Sequence, residues 1–362
     1  MRKTQVALAA LALVASTAAM AGEVSISGQI DIGMFNTDRA SNGAGGSYME
    51  QGALLDHSSI TLNAKEDLGN GLKAMAVLES GFNAGGAIDN GGNNASNTGA
   101  LFNRQALVGL GSDTLGTVGL GRQLSPFILS QALTNFGVGG FWVPRLALGN
   151  NGVGGGFAGG GNGINATGFF IPNSVTYTSP SIGGFTVRGL TASATGTENN
   201  GIVVNNAAAT ATSSSNRYDS LSVDGNIGSV FVSSAWQKRQ DAYSSWTIGG
   251  TMPIVEGLSL MANYMSDKAT VANTTIKSWA AGGKYTVAQG TDVILQYAQN
   301  DADGNAEKTL TNLTLTHALS KRTTAYAMAG RGKNTGSAIG NFGNTFTGIN
   351  NNTYGVGIAH SF

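Results

Sequence analysis

The sequence predicts an all-β protein, a transmembrane barrel of about sixteen antiparallel strands, and three observations support this prediction. First, segments of roughly ten residues alternate apolar with small or polar side chains at period two, as membrane strands do. Second, 11% of the 362 residues are charged and 55 are glycine, whereas soluble domains are about 25% charged. Third, no stretch approaches the ~20 consecutive apolar residues that a transmembrane helix requires, so strands would have to make the crossing.

The alternating segments begin near the amino terminus and continue to the last residue. From Gly22 to Phe35, the apolar Val24 and Ile26 oppose Ser25 and Ser27. The other segments are His57–Lys65, Leu72–Phe82, Phe102–Gly111, Gly116–Gln123, Phe169–Ser179, Phe185–Ala194, Tyr218–Gly225, Ser229–Lys238, Ser245–Met252, Leu258–Ser266, Lys277–Thr286, Thr291–Gln299, Thr309–His317, Arg322–Arg331 and Asn352–Phe362. An even number of such strands is typical of a closed outer-membrane barrel.

Two classes of connection alternate along the chain: short turns, and long loops rich in Gly, Asn, Ser and Thr. The turn Asp67–Gly71 contains Asn-Gly, which supplies the positive φ that tight hairpins prefer. Outer-membrane barrels have this asymmetry, with short turns on the periplasmic side and long loops outside. The longest connection, about residues 124–167, is long enough to indicate a functional loop.

The C-terminal segment Asn352–Phe362 places Tyr354 and Phe362 on one bulky face, opposite a face of glycine, alanine and serine. A strand that ends on the last residue suits a barrel whose termini meet, because a closed sheet leaves no edge unpaired. Taken alone, the pattern also fits the edge strand of a soluble β-sandwich, and the rest of the chain favours the barrel. We interpret Tyr354 and Phe362 as interfacial aromatic residues at the closure.

Residues 1–21 have the features of a secretory signal peptide. Arg2 and Lys3 precede a short apolar run, and Ala19-Met20-Ala21 is a small-residue cleavage pattern. We therefore predict cleavage after Ala21, export from the cytoplasm, and a mature chain of residues 22–362 that forms one barrel domain.

The sequence offers no support for a metal, a cofactor or a catalytic group. The chain contains no cysteine, its three histidines show no metal-ligand spacing, and its formal net charge is zero. The segment Asp301–Asn305 resembles the start of a calcium loop but lacks the distal bidentate glutamate. We predict no cofactor, no metal site, no catalytic residues and no nucleic-acid partner, since no basic patch is present.

Several motifs, in order along the chain, resemble the general porins of Gram-negative bacteria, especially the proteobacterial type. They are Glu66–Ala74, Leu78–Phe82, Asn103–Leu110, Gly119–Gln123, Asn173–Pro180, Leu319–Thr323 and Tyr354–Phe362. The resemblance implies a sixteen-stranded, homotrimeric barrel in the outer membrane, in contact with lipid and lipopolysaccharide. It also implies that the loop at about 124–167 folds inward as a constriction loop, and that Phe362 is read by the barrel-assembly machinery.

The sequence departs from this family pattern at the constriction. Ser59 and Asn63 stand where the family commonly has basic residues, and the loop contains no Asp or Glu. Its only charged residue is Arg145, which we expect to face the lumen, with a contact to the barrel wall as the alternative. Opposed charge rings select ions by sign, so we expect a channel that is less cation-selective than the usual family member.

Strand parity suggests which other charged residues line the pore. Arg104 shares a face with Ala106 and Val108 and matches a wall arginine of the family. We expect it in the lumen rather than at a rim, because an outward arginine at mid-strand costs ~2–4 kcal/mol in lipid. Four further charges lie on the non-lipid face, as pore-lining or as rim residues: Lys73, Glu79, Arg188 and Lys284.

Arg122 has the opposite parity, because it shares its face with Val118 and Leu120. We therefore interpret Arg122 as a subunit-contact or rim residue before a pore residue.

These observations together predict an outer-membrane porin, a water-filled channel through which small hydrophilic solutes and ions diffuse passively. One alternative is a solute-specific porin with a binding site at the constriction. A further alternative, from another class, is an outer-membrane barrel that acts as an adhesin or an enzyme. Liposome swelling against sugars of graded size separates the three.

Overall fold

In a computed structural model of the chain, the described residues are 22–37, 46–51, 55, 58–82, 101–136, 170–192, 217–239, 243–269, 273, 275–302, 307–333 and 351–362. Within them the chain forms strands and one short helix. The strands are β1 (Glu23–Thr37), β2 (Gly46–Gln51), β3 (Ser59–Gly69), β4 (Leu72–Gly81), β5 (Gln105–Ser112), β6 (Gly116–Leu124), β7 (Phe170–Thr178), β8 (Phe185–Ala192), β9 (Tyr218–Ile227), β10 (Val230–Arg239), β11 (Tyr243–Val255), β12 (Leu258–Ala269), β13 (Thr275–Ala288), β14 (Thr291–Ala302), β15 (Lys308–Ala318), β16 (Thr323–Lys333) and β17 (Asn351–Ser361). The helix α1 spans Pro126–Leu133.

The strands form one closed antiparallel barrel. From β3 onward each strand pairs with the next in the chain, and β17 returns to pair with β1 from Gln29↔Ser361 to Thr37↔Thr353. β2 pairs with β1 between Ile32 and Thr37, and β3 pairs with β1 between Glu23 and Gln29. β2 and β3 therefore form one interrupted barrel strand, and the predicted sixteen-stranded antiparallel barrel is confirmed.

The two faces of the sheet have opposite chemistry. Residues directly opposite each other on paired strands share a face, so one exposed apolar residue identifies the outward face of its neighbours. Val108, Leu110 and Leu120 are at least half exposed, and Val108 pairs with Leu120. The other face carries buried polar side chains, including Ser222, Ser233, Gln237, Asn312 and Thr314. Apolar side chains therefore face the membrane, and polar ones line the lumen.

Helix α1 begins with a well-formed N-terminal cap. The Ser125 side chain accepts a hydrogen bond from the Phe127 N–H, and Pro126 occupies the first helical position. Proline suits that position because its missing N–H would have no partner within the helix. The helix packs against β9, β10 and β11. No helix in the described part of the chain is long and apolar enough to cross a membrane.

The sixteen strands predicted from the sequence are present, and the strand assignment differs from the prediction at two places. β2 was not predicted, because its six residues do not form a long alternating run. Residues 102–104 were predicted as part of a strand, whereas β5 begins at Gln105. Both differences lie at the ends of long connections, where period-two patterns are short.

Candidate pore-lining site

Helix α1 lies inside the barrel, on the lumen face of β9 and β10. The Phe127 N–H donates to Ser220 Oγ at 3.1 Å, and Ser233 Oγ donates to Ser130 Oγ at 2.7 Å. Ser220 and Ser233 both belong to the buried polar face. The start of the predicted constriction loop is therefore held against the inner wall by side-chain hydrogen bonds.

The carboxyl end of α1 continues this attachment across to β12. The Gln131 amide group lies 3.7 Å from the sulfur of Met265, and Asn263 Nδ2 donates to Asn135 Oδ1 at 2.8 Å. A β-carbon on Gly249 would come within 2.9 Å of the side chain of Thr134. The absence of a side chain at Gly249 therefore lets the end of the helix lie close to the wall.

Lys284 on β13 is a lumen-facing cation beside this segment. Its Nζ lies 5.9 Å from the centroid of the Phe136 ring, over the ring face. Lys284 pairs with Ile294 on β14 and Ile294 with Thr314 on β15, and Thr314 belongs to the buried polar face. Among the residues that the structure describes, no carboxylate forms an ion pair with Lys284. The structure therefore places Lys284 on the inner wall beside the end of the loop segment.

Arg104 and Glu79 form a buried ion pair. Arg104 Nε lies 2.6 Å from Glu79 Oε1, and the two side chains are 9% and 8% exposed. The Arg104 guanidinium also lies over the ring of Phe170, with its carbon 4.6 Å from the ring centroid. Gln105 Nε2 donates to the second carboxylate oxygen of Glu79 at 2.7 Å.

Strand parity gives the wrong face for Arg104, although the arginine side chain does turn inward. Val108 is 57% exposed and lies on the membrane face, so the face that Arg104 was predicted to share is the outward one. Arg104 precedes β5, and its side chain lies against Gly81. A β-carbon added at Gly81 would lie only 2.9 Å from Arg104 Cδ. An irregular backbone and a glycine, rather than strand alternation, therefore direct this arginine.

Arg188 on β8 pairs with Asp224 on β9. Arg188 lies directly opposite Ser222, a buried residue of the polar face. Both charged side chains are largely covered, at 21% and 10% exposure. The structure thus places Arg188 on the lumen side with its charge compensated.

Lys73 lies at the turn end of the hairpin β3–β4. Its Nζ is 3.2 Å from Asp113 Oδ1, and the two side chains are 48% and 82% exposed. Asp113 belongs to the short turn between β5 and β6. Of the two alternatives for Lys73, this geometry corresponds to a rim charge on the short-turn side.

This barrel matches a known protein family over most of its length. The family model of the Gram-negative porins matches residues 7–337. The chain belongs to the Gram-negative porin family. Membership places this porin in the outer membrane, and it indicates a channel rather than an enzyme.

Two curated relatives are outer-membrane porins. This porin is 34% identical over 161 residues to an outer membrane porin protein of Bordetella pertussis, across 38% of this chain and 40% of that protein. It is 37% identical over 194 residues to outer membrane porin protein 32 of Delftia acidovorans, across 51% of this chain and 48% of that protein. The alignments span less than half the length of these relatives.

Solved porin structures share the fold over nearly the whole chain. An anion-selective porin from Comamonas acidovorans has a TM-score of 0.74 at 22% identity, covering 94% of this chain and 100% of that chain. The trimer form of OmpT, an outer membrane protein of Vibrio cholerae, has a TM-score of 0.66 at 15% identity, with the same coverage. At these identities the similarity shows the fold alone.

Arg122 lies on β6 of this porin and secures the backbone before β5. Its Nε donates to the carbonyl oxygens of Asn103 and Arg104, at 2.8 and 3.1 Å. It pairs with Ala106 across the strands, in the outward parity that the sequence indicated. Beside it, the register shifts between Gly121 and Gln123.

Phe362 and Tyr354 flank the seam at which the porin barrel closes. Phe362 exchanges two backbone hydrogen bonds with Gly28, at 2.9 and 3.1 Å. Its ring covers Gly28, where a β-carbon would lie within 2.9 Å of the ring atom Cε2. Tyr354 is 59% exposed and pairs with Asn36 near the other end of β1.

Sequence reasoning missed a buried hydrogen-bond cluster on the lumen side of this seam. Tyr326 Oη donates to Asp31 Oδ1 at 2.6 Å, and Leu55 N donates to Asp31 Oδ2 at 2.7 Å. Asp31 is 1% exposed. The sequence signal was a carboxylate on the inward face of a strand, but nothing in it identified the partners, which lie far away along the chain.

Two predictions fall on residues outside the described part of the chain. Arg145 and the remainder of the predicted constriction loop beyond Phe136 belong to this group, and so do residues 1–21. In the described residues, no group of three or more His, Asp or Glu side chains is arranged to hold a metal ion.

Proposed function

We propose that this porin is a water-filled channel through which small hydrophilic solutes and ions diffuse passively. The observation that carries the proposal is helix α1, hydrogen-bonded to the polar inner wall of a closed barrel. A polar wall keeps the lumen hydrated, and an inward segment reduces its width. The loop of residues 124–167 then acts as the constriction loop and sets the size of the solutes that pass.

Liposome swelling tests this function. A general diffusion channel admits sugars at rates that fall smoothly with molecular size. A saturable outlier among the sugars would instead identify a solute-specific porin. Absence of permeation from liposomes that contain folded barrel would contradict the proposal and favour the adhesin or enzyme alternative.

We also propose that the channel lacks a strong cation preference. Two ion pairs lie on the lumen side, Glu79–Arg104 and Arg188–Asp224, and within each pair the two charges compensate one another. Lys284 adds a positive charge beside Phe136. Arg145 adds a second positive charge within the predicted constriction loop, which has no Asp or Glu. The relative from Comamonas acidovorans, which is described as anion-selective, supports the same direction.

We propose that three copies associate through the outward face of β3–β6. This sector exposes aliphatic residues such as Ile60, Val108 and Leu120, and none of its described outward residues is aromatic. The outward face of β10–β14 carries Trp236, Trp246 and Trp279, and aromatic residues mark the lipid–water interface. The β10–β14 sector is thus assigned to lipid and lipopolysaccharide, and the β3–β6 sector to partner subunits.

We also propose roles for residues 1–21 in export and for Phe362 in assembly. Residues 1–21 act as a signal peptide cleaved after Ala21, and β1 begins at Glu23. Phe362, which covers Gly28 at the closure, serves as the signal for the barrel-assembly machinery. Amino-terminal sequencing of the outer-membrane protein tests the first part, with Gly22 as the expected first residue.

A further inference from the structure

Leu55 and Ser58, the two described residues of the connection between β2 and β3, contact β1 at Asp31. The partner of β1 is interrupted at this point, because the pairing passes from Ile32↔Gln51 to Gln29↔Ser59 and skips Ile30 and Asp31. Asp31 points inward, since it pairs with Ala359 on the face opposite the exposed Ile358. The N–H of Leu55 reaches this inward carboxylate at 2.7 Å. We name the described residues Leu55 and Ser58 the inward segment.

Asp31 holds the inward segment at two points. Its Oδ2 accepts from Leu55 N, and its backbone N–H donates to Ser58 Oγ at 3.0 Å. Ser58 is 2% exposed. A carboxylate is a strong acceptor for backbone N–H groups, and it is a strong anchor where water is excluded, because an unpaired buried polar group is costly.

Tyr326 fixes the same carboxylate from the other side of the closure. The tyrosine lies on β16, and its ring crosses β17 at Gly357 to reach Asp31 on β1. A β-carbon on Gly357 would collide with the tyrosine hydroxyl and ring. Gly357 therefore opens the passage through which Tyr326 and Asp31 meet at 2.6 Å.

The inward segment lies opposite helix α1 in the ring of strands. The helix packs on β10 and its two neighbours. In the sixteen-strand ring, β10 is eight strands from β1 in either direction, through β3 to β9 or through β17 to β11. Two inward elements therefore approach the lumen from opposite walls.

We propose that the inward segment is the second wall of the constriction, opposite α1, and that Asp31 is the residue that positions it. This inference rests on the proposed diffusion function. The segment narrows the path for hydrated solutes by occupying volume, while the Asp31 carboxylate is engaged by Tyr326 and Leu55. The inward segment then determines the width of the pore together with the long loop.

Thiol labelling tests the position of the segment, because the chain has no native cysteine. Leu55→Cys is reconstituted in planar bilayers and treated with a bulky, neutral methanethiosulfonate reagent, with labelling confirmed by mass. We expect a stepwise loss of conductance. Val356→Cys is the matched control, because Val356 is 58% exposed on the outward face of the same seam, and its labelling should leave the conductance unchanged. Labelled Leu55→Cys with unchanged conductance overturns the inference.

Substitution of Asp31 tests its positioning role. Asp31→Ala should raise the single-channel conductance and the permeation of larger sugars, and Asp31→Asn, which keeps one acceptor oxygen, should fall between it and the wild type. Tyr326→Phe keeps the ring over Gly357 and removes one hydrogen bond, so it should act in the same direction. Heat-modifiable gel mobility shows whether the Asp31→Ala barrel is folded. If the folded variant has wild-type conductance, Asp31 does not position the inward segment. A wild-type protein that does not conduct contradicts the proposed function instead.

Discussion

Arg104 Nε and Glu79 Oε1 meet at 2.6 Å, with both side chains more than nine-tenths buried. The pair joins the end of β4 to the residue before β5, and Phe170 covers the guanidinium. Burial makes each member dependent on the other, because a buried charge without its partner is poorly solvated. The pair therefore acts as a structural link on the lumen side, and it contributes no net charge to the pore.

Removal of one member of this pair should destabilise the barrel more than removal of both. We expect Glu79→Gln to lower the free energy of unfolding by ~3–5 kcal/mol, because Arg104 is left buried and unpaired. The double variant Glu79→Gln/Arg104→Gln should recover part of that loss. Urea titration in lipid vesicles, followed by tryptophan fluorescence, measures both. Equal losses in the single and double variants would contradict the linkage.

Lys284 should influence ion selectivity more than Lys73 does. Lys284→Gln removes a lumen charge that has no described ion-pair partner, so the reversal potential in a salt gradient should move toward cations. Lys73→Gln is the control, because Lys73 lies exposed beside Asp113, and salt screens exposed charges beyond ~8 Å at physiological ionic strength. Equal shifts in the two variants would argue against a lumen role for Lys284.

Gly121 should tolerate no side chain. Its φ is +129°, and a β-carbon there would overlap the Ala106 carbonyl oxygen. We expect backbone strain in Gly121→Ala to lower the free energy of unfolding by ~1–3 kcal/mol and to reduce the yield of folded barrel. Gly189→Ala is the matched control on β8, since a β-carbon there meets nothing within 4 Å. Folding yields from detergent that do not differ between the two variants would count against this account.

Deletion of Phe362 should impair assembly more than conductance. The residue exchanges two backbone hydrogen bonds with Gly28 at the closure, but its ring lies outside the lumen. We expect a lower amount of heat-modifiable protein in the outer membrane, while the molecules that do assemble conduct as the wild type does. Normal insertion of the truncated chain would show that Phe362 is not the assembly signal.

The barrel was predictable from the sequence because period-two alternation is a local property that each strand carries separately. Val24, Leu110 and Ile358 identify the outward face without knowledge of their partners. Helix α1 was not predicted, because eight residues in a glycine-rich loop give too short a periodic pattern. Its cap at Ser125 and its contacts with the inner wall became evident only from the fold.

The site was less predictable because its geometry depends on contacts between distant parts of the chain. Lys284 and Arg188 could be assigned to the lumen face by parity, but Asp224, the partner of Arg188, could not be identified. Arg104 follows no strand parity at all, since its backbone is irregular. The link between Asp31 and Tyr326 joins residues 295 positions apart, and no local pattern indicates such a pair.

We expect this porin to form an open, water-filled channel without strong cation preference. The most direct measurement is the current through wild-type protein in a planar bilayer that separates two concentrations of potassium chloride. We expect ohmic conductance that appears in groups of three equal steps, with a reversal potential near zero or on the anion-selective side. Folded barrel that carries no current, or a strongly cation-selective reversal potential, would contradict it.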